Sequence, residues 1–258
     1  MILFVSQMSY AANSVEGIVK AIHEVDLAFQ LDGVIAKTVV KEGARVKQGD
    51  ILIQLDDALQ KLEVARREAI LKDRSELESN KKNLLIIKEL LNSSRELYQK
   101  MSAVSRDEVM NLEMQYHSLD GRIEVAEARK KQEQIEYAIA KEMLARYSLV
   151  SPITGVVTSI KHEAGEWAKT GETIITAADI STCYAEFNVE EKLARSLRAD
   201  KQVPLRVREG DTLVQKTGKV TYVSPVADKA SALVRVKVEF ENRNGKVVPG
   251  VLANMDFR

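Results

Sequence analysis

The chain has 258 residues, 29% charged and 45% hydrophobic, and its 38 basic residues balance 38 acidic ones. A formal net charge of zero leaves no electrostatic footprint for nucleic acid, and a single cysteine, Cys183, excludes an intramolecular disulfide. Aromatic residues are scarce at 5%, as expected where much of the chain is long exposed helix.

Met1 to Ala12 reads MILFVSQMSYAA, apolar and ending on small residues but short and without a basic start. Residues 1–14 read either as the clipped remnant of a secretory leader or as an ordinary frayed terminus. No other stretch approaches the ~18 apolar residues that span a bilayer. Val15 to Phe29 alternates as strands do. From Leu31 to Leu52, short β-branched runs are punctuated by Gly33, Gly43 and Gly49, which is strand–turn–strand writing.

Residues 57–147 contain no proline, and Gly121 is their only glycine. The second half carries Val109, Leu112, Tyr116, Leu119, Ile123 and Ala126, then Tyr137, Ala140, Leu144 and Tyr147, in a 3–4 rhythm that lapses only at Lys130 and Glu133. In the first half Ile70, Leu77, Leu84, Leu91 and Tyr98 fall seven apart, with polar Asp73, Asn80 and Ser94 among the seam positions. Such spacing keeps one stripe of a helix facing a partner helix. The break lies at Met101–Ser105, where Ser105 followed by Glu108 reads as a capping box that restarts a helix. Two arms of roughly 42–45 residues, each on the order of 65 Å long, are predicted to fold back as an antiparallel hairpin that projects from the rest.

After the hairpin the earlier writing returns. Shifting the first copy by 122 places Gly33, Gly43 and Gly49 on Gly155, Gly165 and Gly171, Lys47 on Lys169 and Asp50 on Glu172. This is an internal repeat interrupted by the helices. Each half is too small to bury a core alone, so the two are predicted to sandwich together, with all six glycines in turns and Asp56 beside Tyr147. In the tail, Cys183 to Val189, Leu205 to Val207, Val220 to Val223 and Leu233 to Phe240 alternate, suggesting a small barrel. Glu190 to Arg198 reads as a turn and a half of helix inside it.

The segments Glu42-Gly43-x-x-Val46-x-x-Gly49-Asp50-x-Leu52 and Ser151-Pro152-Ile153-Thr154-Gly155-Val156-Val157 resemble the two halves of a lipoyl/biotinyl-type domain. With helices between them, and with Gly218 to Pro225 and Val248 to Val251 resembling barrel signatures, residues 15–258 resemble the periplasmic adaptor, or membrane fusion protein, family (HlyD-like). The resemblance implies an α+β multi-domain, elongated fold: a coiled-coil hairpin inserted in a split lipoyl-like β-sandwich, followed by a small β-barrel. The expected domains are 15–28 with 182–258 as the barrel, 29–56 with 148–181 as the lipoyl-like domain, and 57–147 as the hairpin. A membrane-proximal domain is expected to be absent or vestigial.

The function implied is that of a periplasmic adaptor of a tripartite efflux pump. It would bridge an inner-membrane transporter of RND type and an outer-membrane TolC-like channel, as a hexameric ring of copies in the periplasm of a diderm bacterium. An ABC-type exporter or type I secretion system is the alternative, and a biotin or lipoyl carrier a remote one. In the family the hairpin tip docks on the channel and reads Arg, three residues, Leu, six residues, Ser. Here Ser105 matches, while Ser94 and Tyr98 stand where Arg and Leu are expected. The partner-binding candidates are therefore Ser105, Val104, Ala103, Met101, Arg95 and Arg106.

The residues themselves offer no catalytic chemistry. His23, His117 and His162 lie far apart without Cys or carboxylates at ligand spacing. There is no Gly-x-Ser-x-Gly elbow and no phosphate-cradling loop. A carrier lysine belongs at the joint between the sandwich halves, which the helices occupy, so no cofactor is expected. Met110 and Met114 read as hairpin packing. Trp167, aligned with Arg45 in the repeat, reads as a turn residue, either exposed as a contact surface or partly buried against the barrel. A purely structural coiled-coil scaffold is a further alternative.

Overall fold

The computed structural model describes residues 14–101 and 103–257, so the stretch read as a leader remnant, Met1 to Ala12, lies outside the described residues. Two compact units are formed, one by the chain up to Gln54 and from Leu149 onward, the other by Leu55–Ser148. In chain order the elements begin with β1 (Ser14–Ala28), β2 (Gly33–Thr38), β3 (Arg45–Val46) and β4 (Ile51–Leu55). The helices α1 (Ala58–Lys72), α2 (Ser75–Met101) and α3 (Arg106–Ala145) follow. Then come β5 (Ser148–Val150), β6 (Gly155–Ile160), β7 (Trp167–Ala168), β8 (Thr173–Glu190), the single-turn α4 (Glu191–Ala194), β9 (Gln202–Glu209), β10 (Thr212–Val223), β11 (Leu233–Glu241) and β12 (Leu252–Asp256).

The repeat folds by exchange. β2 of the first copy pairs with β7 of the second, Gly33 opposite Ala168 and Val34 opposite Trp167. β3 pairs with β6 in the corresponding register, Val46 opposite Gly155 and Arg45 opposite Val156. The connecting hydrogen bonds obey the same two-fold relation. Ile35 N donates to Glu166 O and Val157 N to Ala44 O; Gly165 N donates to Ile35 O and Gly43 N to Val157 O; Gly171 N donates to Phe29 O and Gly49 N to Ser151 O. Side chains follow suit: Asp32 Oδ1 accepts from Thr170 N, and its equivalent Thr154 Oγ1 accepts from Gln48 N. Ile35, Val46, Leu52 and Ile53 and their counterparts Val157, Ala168, Ile174 and Ile175 are all buried between the halves.

Gly43, Gly49, Gly165 and Gly171 have φ of +80°, +90°, +94° and +77°, the left-handed conformation that side chains resist. Gly33 and Gly155, grouped with them as turn glycines in the sequence reading, instead open strands β2 and β6. At Gly155 the need is proximity, since a Cβ there would lie 2.3 Å from Ala178 O.

The tail closes into a ring of antiparallel strands, β1–β12–β9–β10–β11–β8 and back to β1. Its interior holds Val19, Cys183, Phe187, Leu205, Val236 and Met255. β1 and β8 are shared by both bodies of this unit. Gly17–Ala21 pair with Phe187–Cys183 inside the barrel, whereas His23–Leu27 pair with Asp179–Ile175 beside β6. Between the two ladders the register slips, two residues along β1 against four along β8. This slip falls inside the 15–28 segment expected to belong to the barrel, because an alternating strand carries no mark of where its partner's register changes. β12, absent from the sequence reading, completes the ring opposite β1 and β9.

Asn242 holds this joint. Its buried amide donates Nδ2 to Ile180 O and Val247 O, both at 2.9 Å, and its Oδ1 accepts from Val247 N at 3.1 Å. Cys183 sits beneath it, its thiol pushed up by burial. Asn242→Ala leaves three buried backbone groups unanswered and is expected to lower unfolding free energy by about 2–3 kcal/mol, read from the urea midpoint. An unshifted midpoint would place the joint's stability elsewhere.

Candidate functional surface of the helical unit

α3 is a 40-residue helix, about 60 Å long, and both α1 and α2 pack along it. Leu77 with partly buried Leu84 meets Ile123 and Ala126, and Leu91 meets Val109 and Leu112. Each buried Leu or Ile contributes roughly 1.5–3 kcal/mol. Ion pairs flank this seam along its length: Arg67 with Glu136, Lys81 with Glu127 at 2.8 Å, and Arg95 with Glu113 at 2.6 Å.

The first arm is two helices, not one. At Asp73 the backbone turns extended (ψ 110°), and the Asp73 carboxylate accepts from Ser75 N and Oγ at 3.0 and 2.6 Å, restarting the chain as α2. Ser75 and Asp73 compete with the helix for backbone partners, while the seven-residue spacing of Ile70 and Leu77 runs straight through the break. Opposite it stands the lapse in the second arm. Lys130 Nζ donates to the orphaned Ile70 carbonyl at 3.1 Å and pairs with buried Glu133 at 2.6 Å, and Arg129 reaches Glu133 at 3.2 Å and Glu76 at 3.6 Å. The two irregularities of the sequence are thus halves of one polar node.

At the turn, Ser105 caps α3, its Oγ accepting from Glu108 N at 3.2 Å. Ala103, Ser105 and Arg106 are exposed, and Arg95 is engaged by Glu113. Val104, among the expected docking residues, is half-buried and packs on the Leu91, Val109 and Leu112 cluster. Of Met101 only the helical backbone is described. Ser94, at the position where the family has Arg, is buried.

The sequence reading missed a second seam on α3. Met110, Met114, His117, Gly121, Val125, Ala128, Gln132, Ile135, Ile139 and Met143 recur at intervals of three and four on the side away from α1 and α2, and none carries a formal charge. All are exposed, Met114 by 63%, Val125 by 70% and Ile139 by 57%. Gly121 costs this helix about 1 kcal/mol relative to alanine, and nothing in the chain lies within 4 Å of where its Cβ would be. The signal was legible as a second 3–4 series in the same residues.

Elsewhere, His23 faces Asp179 across the β1–β8 ladder, His117 meets Tyr116 edge-on, and His162 lies 3.6 Å from Glu172. Among the described residues no group of three His, Cys, Asp or Glu is placed to hold a metal, and no helix is long and apolar enough to cross a membrane. Trp167 is exposed on β7, not in a turn.

Two family models match this chain: an RND membrane fusion protein barrel-sandwich hybrid domain over residues 23–179, and a CusB-like beta-barrel domain over residues 183–258. Their boundary falls on the register slip between β1 and β8. The cobalt-zinc-cadmium resistance protein CzcB of Cupriavidus metallidurans is 22% identical, covering 88% of this chain and 41% of that protein. The multidrug resistance protein MdtE of Escherichia coli is 25% identical, covering 86% and 57%. The crystal structure of MacA from Actinobacillus actinomycetemcomitans superposes with a TM-score of 0.68 at 24% identity, covering 95% of this chain and 78% of that one. The chain spans about half the length of the curated relatives it matches.

The polar node makes a stability prediction. Lys130→Met removes one of the two cations that pair with buried Glu133, leaving it Arg129 alone, and is expected to cost about 1–3 kcal/mol, whereas Lys130→Met with Glu133→Leu makes the seam apolar and recovers most of that loss. Melting followed by far-UV circular dichroism distinguishes them; equal losses in both variants would mean the node is not a coupled pair.

Proposed function

The chain belongs to the membrane fusion proteins of RND systems, and from that premise we propose that it is the periplasmic adaptor of a tripartite efflux pump. It links an RND transporter of the inner membrane to an outer-membrane channel and makes or breaks no covalent bond. Both matched domain families point to RND systems, and relatives named for metal resistance and for multidrug resistance lie at similar distance. Cargo is accordingly assigned to the transporter and not to this chain.

The observation that carries the mechanism is that α3 bears two seams and the chain occupies one. The other is a helix-long, uncharged 3–4 series, which asks for a helix of matching length with outward apolar residues. Leu85, Ile86, Leu90 and Leu97 on the exposed side of α2 supply these, so the occupant is the hairpin of a neighbouring copy, and repetition closes a ring around a conduit. Exposed Ala103, Ser105 and Arg106 at the turn then meet the channel, with Val104 holding the turn in shape.

Val125→Glu with Ile139→Glu is expected to leave helicity and melting near wild type while abolishing cross-linked oligomers and export. Ala103→Arg with Arg106→Glu should keep the oligomers but lose channel co-purification and export. Unaltered export in both variants would remove the helical unit's surface from the mechanism.

A further inference from the structure

A cavity of about 410 Å³ lies within the β-unit, and none of its lining residues belongs to the helical unit. It lies at the register slip of the β1–β8 ribbon, walled by β3 and β6 of the sandwich, by Asp179–Ser181 of β8, and by the loop after β11 that Asn242 anchors. Its volume is within the range of sites for small organic ligands, roughly 300–1,000 Å³. Val46, Val156 and Ile180 give it an apolar wall.

The charges around this wall are unequal in their freedom. Arg45 leaves the sandwich and ends beside the barrel loop, its Nη2 4.0 Å from where a Cβ on Gly245 would stand. Neither the Arg45 nor the Lys47 side chain has an ion pair or hydrogen bond among the described residues. Arg243, also on the rim, is paired with Glu241 at 3.0 Å. The two carboxylates of the lining are turned to their own backbone: Asp50 Oδ2 accepts from Lys47 N at 2.7 Å, and Asp179 Oδ1 accepts from Ser181 N at 2.9 Å and Oγ at 2.7 Å. An apolar cleft with two unpaired cations at its mouth, one a guanidinium whose fork matches a carboxylate, selects for a molecule with an apolar body and an anionic head.

We propose that this cavity binds a small amphiphilic carboxylate, its head on Arg45 and Lys47 and its chain against Val46, Val156 and Ile180. A ligand so placed touches the sandwich and the barrel at the point where their shared ribbon is irregular, and it stiffens the joint. The assignment goes beyond the adaptor reading and does not depend on it, because binding is measured on the purified chain without transporter or channel.

Titration calorimetry of the full chain with decanoate is expected to show saturable one-to-one binding and a raised melting temperature. Decyltrimethylammonium, of opposite charge, should not bind, and decanol should bind at least tenfold more weakly than decanoate. Arg45→Ala, which removes an exposed and unpaired side chain, should melt as wild type without ligand and weaken decanoate at least tenfold; Ile180→Ala should weaken it with the charge intact. Equal binding of decanol and decanoate, or undiminished binding by Arg45→Ala, would overturn the proposal. So would capture by phosphatidylglycerol vesicles without binding of free decanoate, since the cations would then be reading a lipid surface.

Discussion

Everything in the β-unit depends on strand exchange between the two copies of the repeat. β2 lies between β4 of its own half and β7 of the other, and β3 pairs with β6, so each half leaves part of its ladder to be completed by the other. The halves are separated by about ninety residues, and closing a flexible loop of that length costs about 4 kcal/mol. A helical insertion that folds on itself reduces that cost. Leu55 N donates to Tyr147 O at 2.8 Å, bringing the two ends of the excursion together where β4 and β5 run side by side. The hairpin is thus a structural precondition of the sandwich as well as a surface in its own right.

The second organising feature is the ribbon of β1 and β8, which belongs to two bodies at once. Its outer end is ring-closed by β12 and β11 and its inner end lies beside β6; the slip between Ala21 and His23 is where one geometry gives way to the other. A slip leaves backbone groups and space, and here Asn242 satisfies the former while the cavity beside Arg45 retains the latter. The matches of the two family models, 23–179 and 183–258, meet at the same residues, where the ribbon passes from one ladder to the other.

In the helical unit, departures from regularity carry the information. The lapse at Lys130 and Glu133 is the answer to a helix break sixty residues earlier, and the low amphipathicity of α3 results from two apolar faces, one filled and one open. Polar interruptions in a seam weaken packing but pin its register, because Lys130 can reach the Ile70 carbonyl in only one alignment of the arms.

The sequence by itself determined what local pattern can encode. The glycine spacing of the repeat, the 3–4 rhythm of the arms, the Ser105 cap and the alternating tail named the lipoyl-like sandwich, the hairpin and the barrel, because turn conformation and side-chain period are properties of neighbouring residues. Only the tertiary structure decided the rest. Gly33 and Gly155 proved to be strand residues, with Gly155 chosen for the nearness of Ala178; Val104 packs against the seam beside the turn; β1 pairs along both ladders; and Asp73 ended a helix whose seam spacing continued unbroken. Each of these depends on a partner brought from far along the chain, and whether a residue faces a neighbour or open space has no signature in the residues adjacent to it.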